Sequence, residues 1–269
     1  ETDYLALDIR IAYSTCMNRY MMILFMQDRI LDATGIFERY IKYNNNIPIS
    51  LYSYKYNSMI GEWLLDYARG ISYVCPLCAE IYYKRSIKLL ENGKNEKRYI
   101  LAKMDFAFLQ CVYFEKFDEI ETIHNLTIDL QRENYINEYF RGFLRENLCK
   151  LVQYFKNPGI ANSKGIKAIA QKMKEEALSI ELDSMLYISG RLAYQTGMYF
   201  SALDTIIQDF VEAKKYLERN LNMVSKAGGS FTNIALHNLR YYKQIQNIEW
   251  GNMEGGYSPH SFILDPRIW

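Results

Sequence analysis

The placement of proline limits what this chain can fold into more than any other feature. Of 269 residues only five are proline, and the stretches 77–157 and 159–258 contain none. Proline removes a backbone N–H and clashes with the preceding turn, so long proline-free stretches favour helices over a loop-rich β-fold. The apolar pattern agrees. Ile136, Phe140, Phe143, Leu144, Leu148, Leu151 and Phe155 recur three and four residues apart, as on one helix face. Few segments alternate apolar and polar with period two. With 49% hydrophobic and 23% charged residues, the chain has the composition of a folded protein.

These signals predict an all-α chain. Helices are expected over about 2–32, 36–43, 51–68, 76–91, 96–114, 118–133, 135–156, 166–179, 182–197, 199–225 (as one helix or two pieces) and 230–247. Gly70 is read as the stop of one, Pro76 as the start of the next, and Gly197 as a turn between two. Asn157-Pro158-Gly159 is the strongest breaker, dividing an N-terminal helical array, 1–157, from C-terminal helices, 158–249. The residues from 250 to 269, with Gly251, Gly255, Gly256, Pro259 and Pro266, read as an irregular cap. The whole is expected to be one continuous array. The apolar run Tyr20–Met26 is far shorter than the ~20 residues of a membrane span and reads as a packed helix face.

Lys+Arg is 32 and Asp+Glu is 31, a balance that argues against a dedicated nucleic-acid binder. Five cysteines without regular spacing do not make a disulfide framework, which points to a reducing cytoplasm. The chain opens on Glu1, read as a piece of a longer protein, and its acidic, mixed N-terminus lacks a signal peptide's basic region. Cys75-Pro-Leu-Cys78 has redox-motif spacing, but a helical stretch precedes it where that motif has a strand, so both are expected as core or boundary thiols. Glu121-Thr-Ile-His124 has di-iron spacing without the second pair that such a site needs. No phosphate-binding glycine loop, Gly-x-Ser-x-Gly or His-Glu-x-x-His is present. No catalytic residue, metal or cofactor is therefore assigned.

Gly190-Arg-Leu-Ala-Tyr194-Gln-Thr-Gly197-Met-Tyr199-Phe-Ser-Ala202 resembles a tetratricopeptide repeat (TPR): small residue, aromatic, turn glycine, aromatic, small residue. Phe210–Leu217 with 234–244, and Ala79–Ser86 with 102–120, are weaker echoes in which Glu115 and Ile245 stand at turn-glycine places. The resemblance implies antiparallel helix pairs stacked as a TPR-like right-handed superhelix, an α-solenoid, with the irregular tail at its end. It also implies a non-catalytic domain that binds a protein or peptide ligand, or other domains of its own chain, as the sensor part of a larger regulatory protein. The groove places are Tyr187, Arg191, Tyr194 and Gln195, then Tyr242 and Lys243, then Asp105 and Phe106. The Lys/Asn carboxylate clamp of co-chaperone members has Tyr187, Ile188, Arg191, Ala235, Leu236 and Leu239 in its places, so that specificity is absent. The alternatives are a scaffold subunit, or a helical enzyme or nucleic-acid binder with a cryptic site. The 24 tyrosines divide accordingly, with Tyr83, Tyr194, Tyr199 and Tyr241 expected between helices and Tyr187 and Tyr242 on a groove.

Overall fold

A computed structural model describes residues 2–27, 29–44, 54–91, 96–156, 163–187 and 191–226, with Leu239, Tyr242, Lys243 and Ile245. Every regular element among them is helical. They are α1 (Thr2–Met26), α2 (Ile30–Asn44), α3 (Tyr54–Ile71), α4 (Pro76–Glu91), α5 (Glu96–Phe114), α6 (Glu119–Arg132), α7 (Ile136–Lys156), α8 (Ser163–Ser179), α9 (Arg191–Ile207) and α10 (Phe210–Lys226), with a 3₁₀ helix, Leu182–Tyr187, before α9. Chain neighbours pack together: α1 with α2, α3 with α4, α6 with α7, α8 with α9, and α9 with α10. No helix among the described residues is long and apolar enough to cross a membrane. The chain divides into two compact units, Glu1–Leu109 and Gln110–Trp269, and the division falls inside α5. The expected boundary at 157 and the tail 250–269 lie outside the described residues.

The first unit is held by an aromatic cluster. Tyr40 stacks on Trp63 at 3.6 Å and Phe37 on Tyr67 at 3.7 Å, while Tyr82 meets Phe37 and Tyr67 edge-on at 5.4 and 5.0 Å. Such pairs contribute about 0.5–1.5 kcal/mol each beyond the area they bury. In the Met-rich run, Met21, Leu24 and Phe25 are buried while Tyr20 and Ile23 face out, so one face packs as expected. α3 ends within a residue of the expected stop at Gly70, but Gly70 itself is helical and serves packing rather than a cap. It lies within α3, and a Cβ there would stand 2.3 Å from the Phe25 ring of α1. Close helix approach, rather than a cap, explains its lack of a side chain. The first expected helix also ends early, at Met26, and α2 starts at Ile30. That register buries Ala33, Phe37, Tyr40 and Asn44 on one face.

In the second unit α9 is the central element, with every residue from Ala193 to Ile206 buried. It packs on α7, α8, α10 and the 3₁₀ helix. This corrects the best repeat echo. Gly197 is no turn, because α9 runs straight through it and the turn comes at Gln208-Asp209. A Cβ at Gly197 would lie 2.4 Å from the Asn220 amide oxygen of α10. Asn220 donates to the Tyr194 carbonyl at 3.1 Å, and Ser201 donates to the Ala213 carbonyl at 2.9 Å. Bare backbone at 197 therefore lets two polar helix faces close on one another.

Among the described residues, four non-glycine residues hold positive φ: Glu115 (56°), Asn134 (57°), Glu181 (58°) and Gln208 (70°). Each follows the end of a helix. At Gln208 the Asp209 and Gln208 N–H groups donate to the Asp204 and Thr205 carbonyls, at 2.8 and 3.3 Å, and satisfy the orphan acceptors of α9. Asp209 then caps α10, its carboxylate accepting from the Glu212 N–H at 3.2 Å.

Candidate functional site

Six of the expected groove residues fall in the second unit, and burial separates those whose side chains the structure describes. Tyr194 and Gln195 are buried within α9, at 9% and 2% exposure. Their area is spent on packing rather than on a surface. Arg191 opens α9, and its side chain lies outside the described part of the structure. Tyr187, at the end of the 3₁₀ helix, is 76% exposed. Tyr242 is half-buried and Lys243 exposed, and both are helical.

Two adjacent residues of α10 contact two of these outer groups. The Arg219 guanidinium lies 4.5 Å from the centre of the Tyr187 ring, and the Tyr242 hydroxyl donates to the Glu218 carboxylate at 3.0 Å. The stripe Ala213, Leu217, Asn220 and Val224 turns inward, which leaves Glu218 outside and Arg219 partly so. A cation over an exposed ring contributes about 0.5–1 kcal/mol, a bias of the Tyr187 ring toward this position. The result is an aromatic surface with both charges represented, a composition suited to burying an apolar group while pairing polar ones. Glu218 and Arg219 were not singled out from sequence. Their signal was available, since both lie off the buried stripe of α10, but exposed charges on helices are common and carry no mark of a partner.

Asp105 and Phe106 belong to α5. Asp105 is 2% exposed and forms an ion pair with Arg69, which also holds Asp66 at 3.0 Å. Asn18 of α1 donates to Asp66 at 2.8 Å. Asp105 is thus the buried end of a polar chain linking α1, α3 and α5, and breaking such a pair leaves an uncompensated charge inside. Phe106 lies 6.2 Å from Tyr83 of α4, ring to ring. Of the four tyrosines expected between helices, Tyr83, Tyr194 and Tyr199 are buried as expected, at 3%, 9% and 0%, while Tyr241 lies outside the described residues.

His124 is an exposed side chain on α6 whose Nδ1 lies 3.1 Å from Glu146, a carboxylate shared with Lys150 at 2.6 Å. No group of three or more metal-ligating side chains occurs among the described residues. In α9 the Asp204 carboxylate is fully buried and pairs with Lys174 of α8. Burial pushes its carboxyl up to about 6 against the pull of Lys174, and Asp209 and Glu212 add to the rise. Cys149 is buried beside Cys111, and burial raises its thiol well above the ordinary range.

Cys75 and Cys78 depart from expectation. They are not core thiols but are joined in a disulfide at the start of α4, with Cys78 exposed and Cys75 half-buried. The preceding segment is helical, as the sequence indicated. Comparison with protein-family models, with curated proteins and with solved structures finds no match for this chain.

Proposed function

We propose that this chain is a non-catalytic, protein- or peptide-binding helical domain, the sensor or interaction part of a larger cytoplasmic regulatory protein. In this reading its helix pairs stack as a TPR-like right-handed superhelix, and the ligand seats on the surface of the second unit. One observation carries the assignment: Tyr187, 76% exposed, lies under Arg219, with Tyr242 on the adjoining Glu218. Exposed aromatic side chains pre-positioned by neighbouring charges lose little freedom when they are buried, so most of their area is available as affinity. Tyr and Arg are also the residue types that most often carry binding energy.

The test is selection of ligands from a displayed library of disordered peptides, followed by titration of the best binders. Arg219→Glu and Tyr187→Ala are each expected to weaken binding by about tenfold or more, on the order of 1.4 kcal/mol. Unchanged affinity in both variants, or a library that yields no binder, would remove the patch from consideration.

A further inference from the structure

We propose that Cys75 and Cys78 form a thiol–disulfide exchange site, reduced by a dithiol and able to close again on oxidation. The site belongs to the first unit and does not rest on the peptide-binding reading. Its geometry is set by the start of α4. Cys75 is the cap residue, Pro76 supplies the fixed φ of a first helical position, and Cys78 lies one turn in. The Cys78 N–H donates to the Cys75 sulfur at 3.3 Å, where a capping serine would place its oxygen. The unpaired N–H groups and the positive end of the helix dipole favour a thiolate at this place over a neutral thiol.

The two sulfurs are unequally open. Cys78 is exposed, and its neighbours Val74, Leu77 and Ile81 are 53%, 66% and 53% exposed, so the described residues leave it open to solvent. An incoming thiolate therefore attacks the Cys78 sulfur. The S–S bond breaks and its electron pair leaves with Cys75, which the Cys78 N–H is placed to receive. The second thiolate of the dithiol then attacks the mixed disulfide at its own sulfur. This releases Cys78 as a thiol and the reductant as a cyclic disulfide. Two electrons and two protons pass from the dithiol to the pair, and the reverse sequence closes it.

Nothing in the local structure needs the bond as a staple. The α3–α4 turn is already held by the Val74 and Cys75 N–H groups, which donate to the Ile71 carbonyl at 3.0 and 2.8 Å. The cross-link closes a loop of one helical turn, the length for which tethering the unfolded chain gains least. A bond that is open to attack and locally dispensable is one that can cycle, which is the form disulfides take in a reducing compartment.

The experiment uses the whole chain under native conditions. The protein is treated with reduced dithiothreitol or with oxidised glutathione, blocked with N-ethylmaleimide and weighed intact. Cys16 is exposed and takes one label in both states, whereas Cys111 and Cys149 are buried. The expected result is two further labels after reduction, mapped to Cys75 and Cys78, and their loss on reoxidation. Cys75→Ser removes the leaving sulfur, so this variant is expected to hold a stable mixed disulfide at Cys78 with oxidised glutathione, while the wild type resolves it. The double variant, Cys75→Ser with Cys78→Ser, is expected to unfold within a few degrees of the oxidised wild type. Labels that appear only in denaturant, a pair that stays open in oxidised glutathione, or a wild-type adduct that persists at Cys78 would each overturn the proposal. So would a large loss of thermal stability on reduction.

Discussion

Gly197 shows how much one missing methyl group decides. By helix propensity alone, Gly197→Ala in α9 would stabilise the chain by about 1 kcal/mol. The structure reverses that sign. The added Cβ would stand 2.4 Å from the Asn220 amide oxygen, and Asn220 is fully buried and tied to the Tyr194 carbonyl. It cannot yield without giving up that bond or pushing α10 away from α9. We expect Gly197→Ala to lower stability by about 1–3 kcal/mol, read as a shift in the urea midpoint at unchanged slope. A gain would show that the two helices do not meet as closely as described. The tyrosines make the same point in reverse. Tyr199 and Tyr187 belong to the same short stretch of sequence, yet one is fully buried and the other 76% exposed. Residue type alone does not distinguish them. The register of the helix on which each stands does, and for Tyr187 that register is a 3₁₀ helix that no periodicity announced.

The helices themselves were mostly legible, and the reason is local. Pro76 opens α4, the stripe Ala213, Leu217, Asn220 and Val224 defines α10, and α5, α6 and α7 lie within a residue or so of their expected limits. The turns were harder to read because glycine does not mark them. Gly70 and Gly197 are close-packing positions inside helices, while Glu115, Asn134, Glu181 and Gln208 take the left-handed turn positions where glycine is ordinarily expected. A sequence reading that takes glycine for punctuation therefore shifts the boundaries around α9 by many residues. It also splits α9 at the point where the repeat resemblance is strongest. The left-handed turns have an energetic consequence. A residue with a Cβ loses roughly 1 kcal/mol in that conformation relative to glycine, and asparagine loses less. Glu181→Gly is accordingly expected to raise the melting temperature by about 2 °C, and Asn134→Gly by clearly less, as read by calorimetry. Equal effects at the two positions would mean that strain in the turn is not what the substitution relieves.

For the molecule as a whole, two compact units divide inside a helix that the sequence marks as continuous, because α5 carries no proline, glycine or polar break. The candidate surface was legible only in part. Tyr187 and Tyr242 were within reach of the repeat resemblance, but what they contact depends on Arg219 and Glu218, which only the packing of α10 brings beside them. Tyr194, Gln195 and Asp105 were drawn into the groove because polar and aromatic residues inside a unit look in sequence like those on its surface. The buried polar residues of α9 also tie the stability of the second unit to pH. Asp204 ionises near 6 when folded, against an ordinary 3.8, chiefly because burial disfavours its charge. Between those values the folded chain keeps a proton that the unfolded chain has released. Raising the pH through this window therefore favours unfolding, and the contribution of Asp204 is full below about 4 and lost above about 6. The loss is on the order of 3 kcal/mol at most. Asp204→Asn cannot titrate, so the stability of the wild type relative to this variant should fall as pH rises from 4 to 7. Urea unfolding at several pH values measures that difference directly. A flat difference would mean that the Lys174 ion pair compensates the burial of Asp204 fully, and that this side chain holds its charge throughout the range.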